Sequence, residues 1–473
     1  MIEEMSVEMS EMSVEMNEEM SELPYLPPEV WLLVFRYLNT KQKHTVRLCC
    51  KGFRVLIDHP FLWKDYTVVL TNLLRYPSNF WDTLQYRRVT RAVVQHLWPK
   101  DWQVLVKTLP SLTTIVCVKE RRRCNTVYLE DLSDFPDLRK LGVRNATWGE
   151  PMLVQCKNKH LAAQLTHLSV CNVQLFNTAE FIDSVSHMVN LEYLLFHQQD
   201  AMEHGRGRPV PCDVFHKLLL SLKKLKHLSW GMKGEPTLPL PDDYFFPEDP
   251  EKPGAYGGPA LTTLELSNYT EMILTENTLR GLTSLKSLSI HYRYLWDGTQ
   301  CHLRSWVNHV PQLDSLTIIG GNFLGSHTIN FPPRMTRLTL RTSVCMCQLT
   351  CIASKLKLVE YLDIDQNRLA GTLCKQLPIL FPQLKTLRIR FCREEPKREL
   401  LFLNGLRHLE QLELIMGCSN SGQNHCLRKP WPSSALQGLI RELQHLSKNR
   451  FRIMTKMQQR DILKMCDCVC DGF

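Results

Sequence analysis

Residues 285–290 read Leu-Lys-Ser-Leu-Ser-Ile, 313–318 read Leu-Asp-Ser-Leu-Thr-Ile, and 335–340 read Met-Thr-Arg-Leu-Thr-Leu. Apolar residues hold positions one, four and six of each hexad, and polar residues hold three and five. Alternation of period two across a short run marks a strand with one buried face. The frame recurs as LTTIVC from Leu112, LRKLGV from Leu138, LTHLSV from Leu165, LEYLLF from Leu191, LKHLSW from Leu225 and LTTLEL from Leu261. It continues as VEYLDI from Val359, LKTLRI from Leu384 and LEQLEL from Leu409. The twelve starts are 27 residues apart on average. A unit this small cannot bury its own apolar side and does so only by stacking on copies of itself.

That period and frame are those of leucine-rich repeats. The expected fold is therefore α/β: about twelve repeats over residues 112–430, forming a curved parallel sheet with helical or irregular returns. The asparagine usual after the strand is kept poorly, near Asn145, Asn172, Asn268 and Asn367 only. Residues 235–260 carry Pro236, Pro239, Pro241, Pro247, Pro250, Pro253 and Pro259 around Tyr244-Phe245-Phe246. Prolines at that density exclude helix and interior strand, so this stretch is expected to be an insertion extruded from the repeats with few core contacts. It reads either as a solvated loop or as a recognition loop. Residues 69–111, with Trp81, Trp98 and Trp102, are expected to link and cap the repeats. Residues 431–473 are expected to form a helical cap, with Leu436, Leu439, Ile440, Leu443 and Leu446 on one face, and a Cys-rich tail.

The chain has 473 residues, 18 Cys and a net charge of +9. Residues 1–22 hold eight Glu and no Lys or Arg, so the rest of the chain carries +17. This leader also places Met at 1, 5, 9, 12, 16 and 20, the stripe of a helix. It reads as a disordered acidic tail or as a helix formed on a partner; at this length an isolated helix is marginal in water. Such a start is the opposite of a secretory signal, and no 18-residue apolar run occurs, so a cytoplasmic or nuclear protein with no membrane span is expected. The cysteines then read as reduced thiols. The basic excess is dispersed, its densest run being Lys119-Glu120-Arg121-Arg122-Arg123. No nucleic-acid-binding motif accompanies it, so no nucleic-acid partner is expected.

Residues 23–68 are of a different kind. Pro27-Pro28 suits a helix start, and Glu29 complements the positive end of the helix dipole. Val30, Leu33, Val34, Tyr37 and Leu38 follow at helical spacing. A second helix is expected near Val46, Cys49, Cys50 and Phe53, then a short piece ending at Phe61-Leu62-Trp63. Three short helices bury little core, so the segment is expected to need a partner.

Leu26-Pro27-x-Glu29-Val30, Val34-Phe35-x-x-Leu38, Cys50-Lys51-x-Phe53 and Leu62-Trp63 resemble an F-box in order and spacing. With the repeats, the chain resembles the F-box/leucine-rich-repeat proteins over roughly residues 23–430. The resemblance implies a three-helix module docking on the Skp adaptor of a cullin–RING ubiquitin ligase. Carried over by position, Leu26, Pro27, Val30, Val34, Phe35, Leu38, Phe53, Leu62 and Trp63 are its adaptor contacts or their direct support. Two departures stand out: Lys43 and His44 replace a pair usually apolar in the family, and Phe53 stands where Trp is common.

Along each repeat strand, positions three, five and seven should face away from the leucine core. The early strands then present Lys140 and Arg144, and the middle ones small Thr263, Ser267, Ser287, Ser289, Ser315 and Thr317. The late strands present Arg337, Arg341, Asp363, Asp365, Arg388, Arg390 and Glu413. Stacking in register puts Asp363–Arg388–Glu413 in one row and Arg341–Asp365–Arg390 in another. Arg337, Arg341, Arg388 and Arg390 are the candidate substrate contacts, with Arg390 at the end of its row expected to keep donors for a carboxylate or phosphate.

No P-loop, dinucleotide glycine motif, nucleophile elbow or H-E-x-x-H is present. The clusters Cys345/Cys347/Cys351 and Cys466/Cys468/Cys470 lack paired CxxC spacing. The last four residues, Cys470-Asp471-Gly472-Phe473, have the length of a prenylation box without its aliphatic residues. No cofactor or metal and no catalytic centre is expected. The expectation is a non-catalytic substrate receptor of an SCF-type ligase, or else a repeat scaffold whose F-box serves assembly or self-turnover.

Overall fold

The computed structural model describes residues 26–95, 99–118, 126–127, 134–145, 147–148, 163–175, 178–198, 209–232, 239–269, 273–292, 302–322, 330–365, 372–391, 397–416 and 432–457. The acidic leader, the basic run at 119–123 and the C-terminal cysteines lie outside the described residues. The chain divides into two units, residues 1–122 with 127–141, and residues 123–126 with 142–473.

The first unit opens with α1 (Pro28–Arg36), α2 (Thr40–Arg47) and α3 (Lys51–Asp58), followed by a short 3₁₀ turn at Pro60–Leu62. Proline in the first turn starts α1. Asn39 starts α2 with a reciprocal capping box: its side chain accepts from the Gln42 amide at 2.9 Å, and the Gln42 side chain accepts from the Asn39 amide at 2.9 Å. The buried Asp58 at the end of α3 accepts from Arg47 of α2 at 2.9 Å and from Arg87 at 2.5 Å.

Residues 69–111 do more than link. Strand β1 (Thr67–Leu70) pairs in parallel with β2 (Arg91–Gln95), and β2 with β3 (Thr114–Val118). Helices α4 (Ser78–Tyr86) and α5 (Pro99–Thr108) fill the returns, with Trp81 and Trp102 buried. Two strand-and-helix units thus precede the first expected repeat. The frame of the second holds Val89, Ala92 and Val94, and that of the first holds Asp65, Val68 and Leu70, so neither shows the full leucine pattern; Val68, Leu70, Val89, Ala92 and Val94 are buried.

In the second unit a parallel ladder runs through β4 (His167–Leu175), β5 (Tyr193–Gln198), β6 (His227–Gly231), β9 (Thr263–Tyr269), β10 (Ser287–Tyr292), β11 (Ser315–Asn322), β12 (Arg337–Ser343), β13 (Tyr361–Asp365), β14 (Thr386–Phe391), β15 (Gln411–Met416) and β16 (Arg452–Met457). All twelve expected hexads form strands, including β3 and the strand Lys140–Arg144, and each strand begins at the third residue of its hexad. The fourth-position residues Leu194, Leu228, Leu264, Leu288, Leu316, Leu362, Leu387 and Leu412 are all buried. The returns hold α6 (Thr178–Ser186), α7 (Cys212–Ser221), α8 (Leu303–His309), α9 (Met346–Lys355) and α10 (Leu373–Leu380). At two of the four asparagines the turn signal holds: Asn145, just after the strand Lys140–Arg144, and Asn172, within β4, both adopt positive φ, and Asn172 Nδ2 donates to Asn145 Oδ1 at 2.7 Å.

Two expectations need correction here. Residues 431–457 are not helix alone: α11 (Ser434–Leu446) leads into β16, which extends the ladder by one strand beyond the last hexad. Nor is the proline-rich insertion extruded with few contacts. Its described part, from residue 239, carries the antiparallel hairpin β7 (Glu248–Asp249) and β8 (Lys252–Tyr256). Tyr244 and Phe245 are buried against Phe215 of α7, at ring-centroid distances of 4.6 and 5.4 Å. Phe246 lies over Gly281, where a Cβ would collide with its ring. Proline excludes helix from this stretch but does not stop three consecutive aromatics from joining the core.

Candidate functional site

Two surfaces carry the residues expected to act. On α1, Leu32 and Phe35 point inward and build an aromatic cluster, with Trp31, Phe35 and Phe53 in mutual ring contact at 4.9–5.5 Å. The opposite side of the helix stays apolar and exposed: Val30 at 37%, Leu33 at 54%, Val34 at 44% and Tyr37 at 89%, with Leu26 at 42% just before it. These positions are spaced three and four apart, which lines them along one face. Of the nine expected adaptor residues, Leu26, Pro27, Val30 and Val34 are exposed, Leu38 and Phe53 are half-buried, and Phe35, Leu62 and Trp63 are buried. Phe35 therefore supports the module from inside, and a charge there would strike its core rather than the outer face. Leu33 and Tyr37 share the outer face without having been carried into the expected set; Leu48, at the end of α2, is exposed as well.

The surroundings of Trp63 show how the charged Lys43 is accommodated. Its indole donates to the Ile57 carbonyl at 2.5 Å. Arg87 lies over its ring at 3.9 Å and Lys43 at 5.4 Å, while Lys43 Nζ donates to the Leu62 carbonyl at 3.0 Å. Burial and then Arg87 push the Lys43 ammonium below its ordinary value. His44 is exposed.

The second surface is the polar face of β12–β16. Backbone register pairs Asp363 with Arg388 and Arg388 with Glu413, and pairs Asp365 with Arg390, as the hexads imply. The side chains connect differently. Asp363 is fully buried and collects three arginines across both rows. Arg341 Nη2 donates to it at 3.0 Å; Arg390 donates from Nε at 3.0 Å and Nη2 at 3.1 Å; Arg388 Nη1 comes within 3.7 Å. Burial alone would raise the Asp363 carboxyl, but Arg341 and Arg390 outweigh it and hold it below the usual carboxylate range. Arg390, 5% exposed, is thus a buried partner of Asp363, which corrects its expected role as a donor at the end of a row. In the same way the basic early position Arg144 is 2% exposed.

What remains at the surface is a smaller basic set. Arg337 is exposed and lies over the Tyr361 ring at 4.2 Å. Arg388 is half-buried, donating to Glu413 at 2.9 Å and to the Tyr361 hydroxyl at 3.0 Å. Lys456 of β16 reaches Glu413 at 3.2 Å. Burial raises the Glu413 carboxyl less than Lys456 and Arg388 lower it. Lys456 could not be placed from the sequence, because β16 lacks the leucine frame.

Between β5 and β10 the same face carries a buried polar chain. His197 Nε2 and Ser229 Oγ are 2.9 Å apart, and Ser229 Oγ donates to Glu265 at 2.8 Å. His291 Nδ1 lies 3.2 Å from the other Glu265 oxygen. Burial, with a smaller contribution from His291, drives His197 down to about 3, so it stays neutral. Next to this chain, the rings of His167, Tyr193 and His227 stack at 5.6 and 4.2 Å. Neither His197 nor Glu265 stood out in the sequence, since each occupies an ordinary repeat position.

Among the described residues no helix is long and apolar enough to cross a membrane. A family model described as F-box-like matches residues 23–68. No curated protein matches the chain. Among solved structures, an internalin of Listeria monocytogenes is similar at 14% identity and a TM-score of 0.34, covering 75% of this chain and 88% of its own. A structure of the Toll–Spatzle complex, from Drosophila, is similar at 15% identity and a TM-score of 0.41, covering 84% of this chain and 48% of that one.

Proposed function

We propose that the chain is the substrate-recognition subunit of an SCF-type ubiquitin ligase. It binds a Skp-type adaptor through residues 23–68 and a protein substrate through the sheet of repeats. The observation that carries this reading is the exposed apolar face of α1, running from Leu26 to Tyr37 in a segment that matches the F-box-like model. Three large apolar side chains along one side of a nine-residue helix, flanked by Leu26 and Tyr37, have no place on a solvated surface unless a partner covers them. The module's opposite side is already satisfied by the Trp31, Phe35 and Phe53 cluster.

No step of ubiquitin transfer is assigned to this chain. Its contribution is to hold the substrate near a loaded enzyme, which raises the effective concentration of the reacting groups. Arg337 and Arg388 at Tyr361, Lys456 at Glu413 and Arg341 at Asp363 favour an acidic or phosphorylated substrate segment, with bidentate guanidinium contacts giving direction. A cytoplasmic or nuclear location follows from this role.

Co-expression with adaptor and cullin, followed by co-purification, tests the first half. Stabilisation of a captured protein when the chain is depleted tests the second. Adaptor capture with no stabilised protein would favour the scaffold reading, and no adaptor capture would remove both.

A further inference from the structure

The sequence offers no paired-cysteine metal site, but the fold brings together a donor set that its linear spacing conceals. Cys212 and His216 are four residues apart on α7 and so share one face of the helix. Asp243 arrives from the insertion. Sγ of Cys212, a ring nitrogen of His216 and a carboxylate oxygen of Asp243 all lie within 4.8 Å of one another. Sγ and Nε2 are 3.3 Å apart. Tetrahedral zinc with bonds of about 2.3 Å to sulfur and about 2.0–2.1 Å to nitrogen would separate those two donors by about 3.6 Å. The pair therefore needs only a small side-chain adjustment, and Asp243, being exposed, can rotate in.

The backbone of the set is already fixed. Tyr244, the neighbour of Asp243, stacks on Phe215 of α7 at 4.6 Å and donates to the Val210 carbonyl at 3.3 Å, two residues before Cys212. His216 Nε2 donates to the Asp243 carbonyl at 2.8 Å, which holds the ring beside the insertion and is exchanged for the metal on binding. The same anchors that bury the insertion thus aim three ligands of different chemistry at one point. Thiolate, imidazole and carboxylate together suit a borderline-soft divalent ion.

We infer that Cys212, His216 and Asp243 form a zinc site that clips the proline-rich insertion onto α7. The clip is structural: it ties residues 239–259 to the helix that faces them and sets the pose of the hairpin β7–β8.

The test uses the full chain, freed of metal under reducing conditions and titrated with Co²⁺ and then with Zn²⁺. Cysteines elsewhere are controlled by difference against Cys212→Ser. The wild-type chain should bind one more equivalent of Co²⁺ than Cys212→Ser, with a sulfur-to-cobalt charge-transfer band that Zn²⁺ abolishes. Affinity for that equivalent should fall about tenfold or more in His216→Asn and in Asp243→Asn, since losing a group that merely orients a ligand already costs about 10–100-fold. Zn²⁺ should raise the melting temperature of the wild-type chain and leave that of Asp243→Asn unchanged. Asp243 is exposed, so this variant keeps the test open if Cys212→Ser does not fold. Equal metal stoichiometry and equal Zn²⁺ stabilisation in the wild-type chain and Asp243→Asn would overturn the site.

Discussion

Replacing Asp363 by Asn removes the charge on which the basic face of the late repeats is organised. The side chain is fully buried and receives Arg341 and Arg390 through four guanidinium contacts of 3.0–3.3 Å. Arg341 and Arg388 keep 20% and 27% of their side chains exposed and can hydrate when the charge goes, whereas Arg390 keeps 6%. The cost is therefore that of a buried Arg390 cation losing its charged Asp363 partner. Breaking a buried pair from one side costs about 3–5 kcal/mol, and the retained amide oxygen puts Asp363→Asn near about 3 kcal/mol. Amide exchange in β13 and β14 should speed up roughly a hundredfold, at about 1.4 kcal/mol per decade. The double variant Asp363→Leu with Arg390→Leu should be more stable than Asp363→Asn, because it also removes the Arg390 cation that lost its Asp363 charge. The sign with pH follows from the depressed carboxyl. Its stabilisation is full above the unfolded value of about 3.9 and is lost as pH falls through the lower folded value, so the gap between wild type and variant closes in acid. Exchange in Asp363→Asn within about 0.5 kcal/mol of wild type at neutral pH would refute this account of the cluster.

Val34→Asp with Tyr37→Asp should abolish adaptor co-purification and leave the helical signal intact, since both side chains are exposed; Phe35→Asp should lose both, and equal behaviour of the two would refute the division of α1 into outer and inner faces. Phe245→Ala should destabilise the second unit by about 3–5 kcal/mol, read from urea unfolding, because its ring is fully buried; no change would return the insertion to a solvated loop. Folded His197 titrates near 3 against about 6.5 unfolded, so the unfolded chain binds the extra proton between these values. Stability should fall as pH drops below about 6.5, and His197→Gln should flatten that part of the profile. Arg337→Glu with Arg388→Glu should weaken substrate capture while adaptor binding is unchanged, measured in the same pull-down; unchanged capture would place the substrate elsewhere on the sheet.

The sequence by itself determined where the repeats are and which way their leucines face. A hexad with apolar residues at one, four and six needs no tertiary information, because alternation alone decides the buried side; every such hexad became a strand starting at its third residue. It failed where the frame was incomplete or written in other residues: β1 keeps only Val68 and Leu70, β2 holds Val89, Ala92 and Val94, and β16 keeps only Ile453. The F-box segment was legible through spacing, but spacing does not say which side of α1 is inward. Val34 and Phe35 are neighbours of equal apolarity, and only packing against Trp31 and Phe53 sends one in and leaves the other out. On the late strands the backbone register was legible and the side-chain partners were not. Register places Asp365 opposite Arg390, and a guanidinium reaches over several ångströms, so Arg390 also donates to the more buried Asp363 in the other row. The insertion shows the same limit from the other side: proline rules out helix locally, but whether Tyr244 and Phe245 stay in water depends on Phe215, some thirty residues away and brought close only by the fold.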